Sequence, residues 1–288
     1  MAYLVTVSLI WSASFGIFKT QLASLDPALT AFLRLTLAAL AFLPFLRIRG
    51  LSAKARLELM AVGAVEYGAM YLLFNASFRY LDSWQVALMT LTTPLYIIAI
   101  DALWTRHIKP RFILAAALAV AGGTLAMFRS NHSLPDSLTG ALLVQGANLC
   151  FSLGQILYRR ARTRSAGIRD ANLFALLYAG AVLCTGINVA LNGSLALIAN
   201  IGPQQWLALI YMGLVSSGLC FFLWNLGATK VSAGTLAALN NLKVPTAITV
   251  SILFFGEYAG RWELLATGLV VMLAGVWIAE RQPRTRAV

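Results

Sequence analysis

Three ionisable side chains, Arg34, Glu66 and Lys243, lie deep in long apolar runs. A charge inside a hydrocarbon layer is costly, and it marks a partner, a cavity or an ion pathway. At about 1.5 Å per helical residue, Arg34 and Glu66 fall at similar depth on consecutive runs. A structural ion pair between them is therefore expected, with a proton-carrying role for Glu66 as the competing reading. Lys243 stands in Asn240-Asn241-Leu242-Lys243-Val244-Pro245. Pro245 removes a backbone donor and frees a carbonyl about a turn earlier. Two roles stay open for Lys243: contact with an anionic group of a substrate, or support of the freed carbonyls.

Polar and aromatic stripes accompany these charges. Gln145, Asn148, Ser152 and Gln155 recur at i, i+3, i+7 and i+10, one face of a helix. Tyr67, Tyr71 and Asn75 recur at i, i+4 and i+8. Trp11, with Phe15, and Tyr96 lie too deep for an interfacial aromatic belt. Each stripe reads either as packing and interhelical hydrogen bonding or as the wall of a cavity for an amphipathic small molecule. The candidate binding set is Trp11, Tyr67, Tyr71, Asn75, Tyr96, Asn148, Ser152, Gln155, Asn240 and Lys243. For an amino acid, Lys243 and Asn240 suit the carboxylate, and the amide oxygens of Asn148 and Gln155 suit the ammonium. Trp11, Tyr71 and Tyr96 suit the side chain. No nucleophile–base or P-loop constellation appears. Cys150, Cys184 and Cys220 fall inside apolar runs, and His107 and His132 lie far apart in loops. An enzyme, a metal and a cofactor are not expected.

These residues must be carried by membrane helices. The chain is 60% hydrophobic and 11% charged, against about 45–50% and about 25% in soluble domains. Ten apolar segments are expected to span the membrane: 3–22, 27–46, 57–78, 83–104, 112–128, 138–158, 172–191, 205–226, 233–255 and 262–279. Alternating ten-residue segments of a barrel are absent, so the fold class is an all-α integral membrane protein. The net charge of +12 could suggest nucleic acid, but the basic residues sit in short loops between apolar runs. Most of the Lys and Arg fall in alternate loops (Arg47 to Arg56, Arg106 to Arg111, Arg159 to Arg169, Lys230 and Arg281 to Arg286), which places both termini in the cytoplasm. The first segment lacks a basic leader and is read as a retained span. Tyr3, Trp84, Trp104, Trp206, Trp262 and Trp277 lie at span ends, as an interfacial belt would.

The second half also repeats the first. Residues 74–97 and 224–248 align Asn75 with Asn225 and, after a slip of one, Pro94 with Pro245. Two five-span halves, 1–135 and 136–288, follow. An odd number of spans inverts the second copy, which points to a transporter with its site between the halves near the midplane. Pro94 and Pro245 are the expected hinges about which the halves rock.

The arrangement resembles the EamA-type members of the drug/metabolite transporter superfamily. The likeness rests on the span 9 proline, Phe254-Phe255-Gly256-Glu257, the glycines Gly268 and Gly275 of the last span, and Trp11-Ser12 with Arg34 in the first copy. The first copy departs from the pattern where Arg106-His107 replaces the Gly-Glu pair. Within the superfamily the chain is most similar to the YddG exporters of aromatic and other neutral amino acids. The resemblance implies a ten-helix basket in the bacterial inner membrane, with spans 1, 3, 4, 6, 8 and 9 around the cavity. It also implies export by alternating access, with membrane lipid and an amino acid as partners. Export of drugs or other metabolites is the alternative, and a non-transporting scaffold is the alternative of another class. Nothing in the sequence sets an oligomeric state. For the topology, a cysteine introduced at Ser194 should react with an impermeant thiol reagent added outside, and one at Thr163 should not. The reverse pattern would contradict the orientation.

Overall fold

The computed structural model describes residues 2–47, 50–105, 114, 117–118, 121–122, 125, 134–164, 167–228, 243–244, 247–256 and 262–280. Asn240 and Pro245 lie outside the described residues, as does most of spans 5 and 9. Every regular element among the described residues is helical. Six helices are long and apolar enough to cross a membrane: Ala2–Leu22, Pro27–Phe45, Ala53–Ser77, Ser137–Arg162, Asp170–Leu191 and Pro203–Gly227. They correspond to spans 1, 2, 3, 6, 7 and 8. Span 4 consists of Ser83–Met89, a 3-10 turn Thr90–Thr92 and Thr93–Thr105. Span 10 is Trp262–Glu280.

Local signals set where these helices begin. Asp26 caps span 2 by accepting the Leu29 N–H at 2.9 Å, with Pro27 in the first helical position, where its missing donor costs nothing. Ser52 caps span 3 by accepting from Ala55 N at 3.2 Å. Charged pairs gather at the two ends of the bundle. Lys19–Asp82 (3.7 Å) and Arg79–Asp26 (3.6 Å) join the end of span 1 to the start of span 4, and the end of span 3 to the start of span 2. Arg162–Asp170 (2.7 Å) and Arg164–Glu58 (2.5 Å) join the end of span 6 to the starts of spans 7 and 3. Such half-exposed pairs are each worth about 0–1 kcal/mol; they fix which ends meet more than they stabilise the fold.

Three of these helices contain a π-helical segment, span 1 over Phe18–Leu22, and the other two do so at related places. Span 3 winds as a π-helix over Ala64–Ala69, and span 8 does so over Met212–Leu219. Under the sequence repeat these spans are counterparts. A π turn displaces backbone partners and often marks a functional position. In a membrane such irregular backbone must be satisfied by protein.

Span 2 packs along spans 7 and 8, while span 3 lies against spans 6 and 7. The crossing of spans 3 and 7 is backbone against backbone. A Cβ at Gly63 would stand 1.8 Å from the Leu177 carbonyl oxygen, and one at Gly180 would stand 1.8 Å from that of Met60. Only glycine permits that approach. Leucines such as Leu183 and Leu207 instead stay exposed on the outer surface, as lipid-facing side chains do. Trp84 corrects one expectation. It is 3% exposed and packs in the core with Phe78 and Leu88, not at an interface. Trp262 and Trp277 are more than half exposed. Gly180→Val should drive spans 3 and 7 apart, at a cost on the order of 3 kcal/mol. Leu183→Val should be tolerated. Thermal unfolding in detergent distinguishes them, and an unshifted midpoint for Gly180→Val would contradict the crossing.

Candidate functional site

A partly open cavity lies between the spans. Span 1 contributes Trp11, span 2 Arg34, span 3 Tyr71, span 4 Thr93, span 6 Asn148, span 8 Ser216 and span 9 Lys243. Its walls are completed chiefly by Phe15, Phe74, Phe151 and Phe221. Two cations therefore reach a wall that is otherwise aromatic and weakly polar, and among the described residues no acidic one lines it.

Arg34 is 2% exposed. Its Nε and Nη2 donate to Ser217 Oγ (3.3 and 3.1 Å), Nη2 to the Tyr71 hydroxyl (3.1 Å), and Nη1 to Asn75 Oδ1 (3.4 Å). The guanidinium carbon sits 4.2 Å from the Tyr71 ring centroid, so ring and hydroxyl both stabilise the cation. Asn75 is held in turn by donation to the Pro27 carbonyl at 3.3 Å. The expected Arg34–Glu66 ion pair is corrected here. Arg34 turns toward span 8 and the Tyr71–Asn75 face of span 3. Glu66 lies against span 6, where a Cβ at Gly154 would come 2.2 Å from Glu66 Cβ. Similar depth did not mean the same face.

Lys243 is 7% exposed, and its Nζ lies 5.4 Å from the Trp11 ring centroid and 5.9 Å from that of Phe151. Trp11 is oriented by donation from its indole N–H to the Ser216 carbonyl at 3.0 Å, and its ring meets Phe221 and Trp224 with centroids at 5.0 and 5.2 Å. That carbonyl belongs to the π segment of span 8. The neighbouring Ser217 carbonyl accepts from the Tyr178 hydroxyl. The irregular backbone is thus satisfied from spans 1 and 7.

The polar stripe of span 6 serves mainly the break in span 4. The Asn148 amide donates to the Met89 carbonyl (3.0 Å) and Thr92 Oγ1 (3.1 Å), and its oxygen accepts from Thr93 (3.2 Å). Gln145 accepts from Thr92 at 2.7 Å. Ser152 donates to the Thr93 carbonyl, just before Pro94, at 3.2 Å. A matching contact stands in the other half, where Ser12 of span 1 donates to the Lys243 carbonyl at 3.1 Å. The α-helical run of span 4 is interrupted at Thr90–Thr92, immediately before Pro94.

Of the residues expected to bind substrate, Trp11, Tyr71, Asn148 and Lys243 line the cavity. Tyr67 stacks on Tyr178 (centroids 5.3 Å) and accepts from Asn225 at 3.1 Å. Asn75 supports Arg34, Ser152 supports span 4, and Gln155 is buried with its Nε2 unpartnered. None of these four lines the cavity, nor does the half-buried Tyr96. Arg34, Phe151 and Phe221 are wall residues not foreseen. Phe151 lies three residues beyond Asn148 on the same helical face, a spacing that could have flagged it. Among the described residues no three His, Cys, Asp or Glu gather as a metal site requires.

The EamA-like transporter family matches residues 1–128 and 138–280. The chain belongs to this family. It is 37% identical over 283 residues to the biotin transporter of Escherichia coli strain K12, covering 96% of this chain and 92% of that one. The biotin transporter of Salmonella typhimurium strain LT2 is 35% identical over 280 residues, with 96% and 92% covered. A probable biotin transporter of Pseudomonas aeruginosa PAO1 is 35% identical over 280 residues, with 96% of each chain covered. A solved crystal structure matches with a TM-score of 0.66 at 17% identity, covering 96% of this chain and 95% of the other, and so shares the fold. The family membership and the multi-helix membrane fold agree with the resemblance read from the sequence. The finer likeness to YddG amino-acid exporters finds no support in these relatives, which are named for biotin. Tyr71→Phe removes one acceptor from a buried guanidinium that keeps Ser217 and Asn75. A loss of about 1 kcal/mol in stability is expected, read as a lowered unfolding midpoint, and no change would contradict the network.

Proposed function

We propose that this EamA-family transporter carries biotin across the bacterial inner membrane by alternating access between two inverted halves. The observation that carries the proposal is the pair of buried cations, Arg34 and Lys243, on an aromatic cavity wall with no acidic residue among the described ones. Biotin has one carboxylate, an apolar chain and a compact ureido ring system. Lys243 meets the carboxylate, backed by the field of Arg34. Trp11, Phe151 and Phe221 pack on the chain and rings, while Asn148 and Thr93 face the ureido group. Pro94 and Pro245 are the hinges of this cycle, since a proline leaves its helix without one backbone bond.

Amino-acid transport is the second reading, and the same wall weighs against it. A zwitterion brings an ammonium group that needs acceptors, and the cavity already holds two cations. The oxygen of Asn148 is engaged by Thr93. A monocarboxylate offsets one of those charges where a zwitterion offsets neither.

The test is counterflow of labelled biotin in proteoliposomes holding the purified chain, with unlabelled competitors. Biotin should exchange, biotin methyl ester should compete poorly, and neutral amino acids should not compete. Lys243→Met should lower biotin exchange about 10- to 100-fold, as loss of a charge-assisted hydrogen bond predicts, while folded yield stays near wild type. Equal competition by the methyl ester, or normal exchange by Lys243→Met, would contradict the carboxylate contact.

A further inference from the structure

The transport reading makes no use of Glu66. Of the acidic side chains described, it alone is buried, at 0% exposure. Neither carboxylate oxygen makes a hydrogen bond of normal geometry, and no Lys, Arg or His pairs with it among the described residues. The Tyr67 hydroxyl and the Asn225 amide lie beside it. Tyr158 and Tyr178 are the other titratable side chains within its electrostatic reach. Span 6 closes the remaining side through Gly154, and the next residue, Gln155, also leaves a buried amide nitrogen unpartnered. Trp224, beside Asn225, does the same with its indole nitrogen. Glu66 sits within the π segment of span 3, on the residues that join spans 3, 6 and 8.

An ionised carboxylate with no cationic partner is costly in such surroundings, whereas a neutral acid is not. Once spans 3, 6 and 8 separate and admit water, the ionised form becomes acceptable. On closure around a bound carboxylate the group is therefore neutral, and on closure of the empty site the positive charge left in the cavity favours its ionised form. Glu66 does not line the cavity. It lies four residues before Met70, which does, so about 6 Å along the helix separates the two sites. Proton and substrate need not compete for one place.

We infer that Glu66 is a proton-coupling site that carries one proton with each substrate carboxylate. The inference rests on the transport reading above. The proton comes from water on the entry side, resides on the Glu66 carboxyl while the helices are closed on bound substrate, and leaves to water on the exit side. Charge makes the coupling strict. With Arg34 and Lys243 both cationic, the empty site with ionised Glu66 has the same net charge as the site holding one carboxylate and one proton. Carboxylate without proton, or proton without carboxylate, shifts the closed site by one unit. Those two leak states are the ones a low-dielectric interior disfavours. The cycle moves a carboxylate and a proton together and carries no net charge.

Proteoliposomes of the full chain test this. With acid outside, wild type should accumulate labelled biotin. With no gradient, added biotin should acidify the lumen, read by an entrapped pH dye, at one proton per biotin. Glu66→Gln, which keeps the shape of the neutral acid, should exchange labelled for unlabelled biotin at near the wild-type rate. It should neither accumulate biotin on a pH gradient nor move protons. Gradient-driven accumulation by Glu66→Gln overturns the inference. So does wild-type accumulation driven by a sodium gradient at equal pH, or biotin entry without protons. Should Glu66→Gln fail to fold, the wild-type proton count decides alone. Biotin exchange without proton movement refutes the coupling only, whereas no exchange at all in wild type refutes the substrate reading and the coupling with it.

Discussion

A guanidinium buried in a membrane protein with no carboxylate partner among the described residues constrains everything around it. Arg34 must be met by neutral acceptors, and it draws them from two other spans: Tyr71 and Asn75 from span 3, and Ser217 from span 8. Those bonds tie the first half of the chain to the second at the level of the cavity. They also leave the positive charge uncancelled, because hydroxyls and amides stabilise a cation without neutralising it. In the proposed function, the site's preference for an anion follows from the network that makes Arg34 tolerable.

A second constraint comes from the irregular backbone. The 3-10 turn of span 4 and the π segment of span 8 each expose carbonyls that lipid could not satisfy. Side chains on neighbouring spans supply the donors: Asn148 and Ser152 to span 4, and Trp11 and Tyr178 to span 8. Asn148 and Trp11 also line the cavity. The same groups that stabilise the breaks therefore shape the space for substrate, and a shift of one broken helix would reach the cavity wall through them. The paired hydroxyl contacts, Ser12 to Lys243 and Ser152 to Thr93, suggest that both halves use one device.

The membrane class and the depth of the three charges were legible in the sequence, because hydropathy and helical rise depend only on residue type and position. Which face each side chain takes was not. Arg34 and Glu66 share a depth, but the winding of span 3 through its π segment and the glycine contact with span 6 send Glu66 away from Arg34. Likewise the stripe of span 6 was visible as a stripe. Its main task, completing the broken backbone of span 4, depends on a neighbour 55 to 59 residues away in the chain. Phe221 joined the wall without a signal, since an aromatic residue in an apolar run carries no mark of whether it faces lipid or a cavity.

The proposal of biotin as substrate draws on the names of the relatives, and the charge of Arg34 is the physical reason offered for it. An experimentally determined structure with bound biotin tests this most directly. The carboxylate should lie within hydrogen-bond distance of Lys243 Nζ, with the ring system against Trp11 and Phe151. A carboxylate directed away from both Lys243 and Arg34, or biotin held outside this cavity, would contradict the proposed basis of recognition.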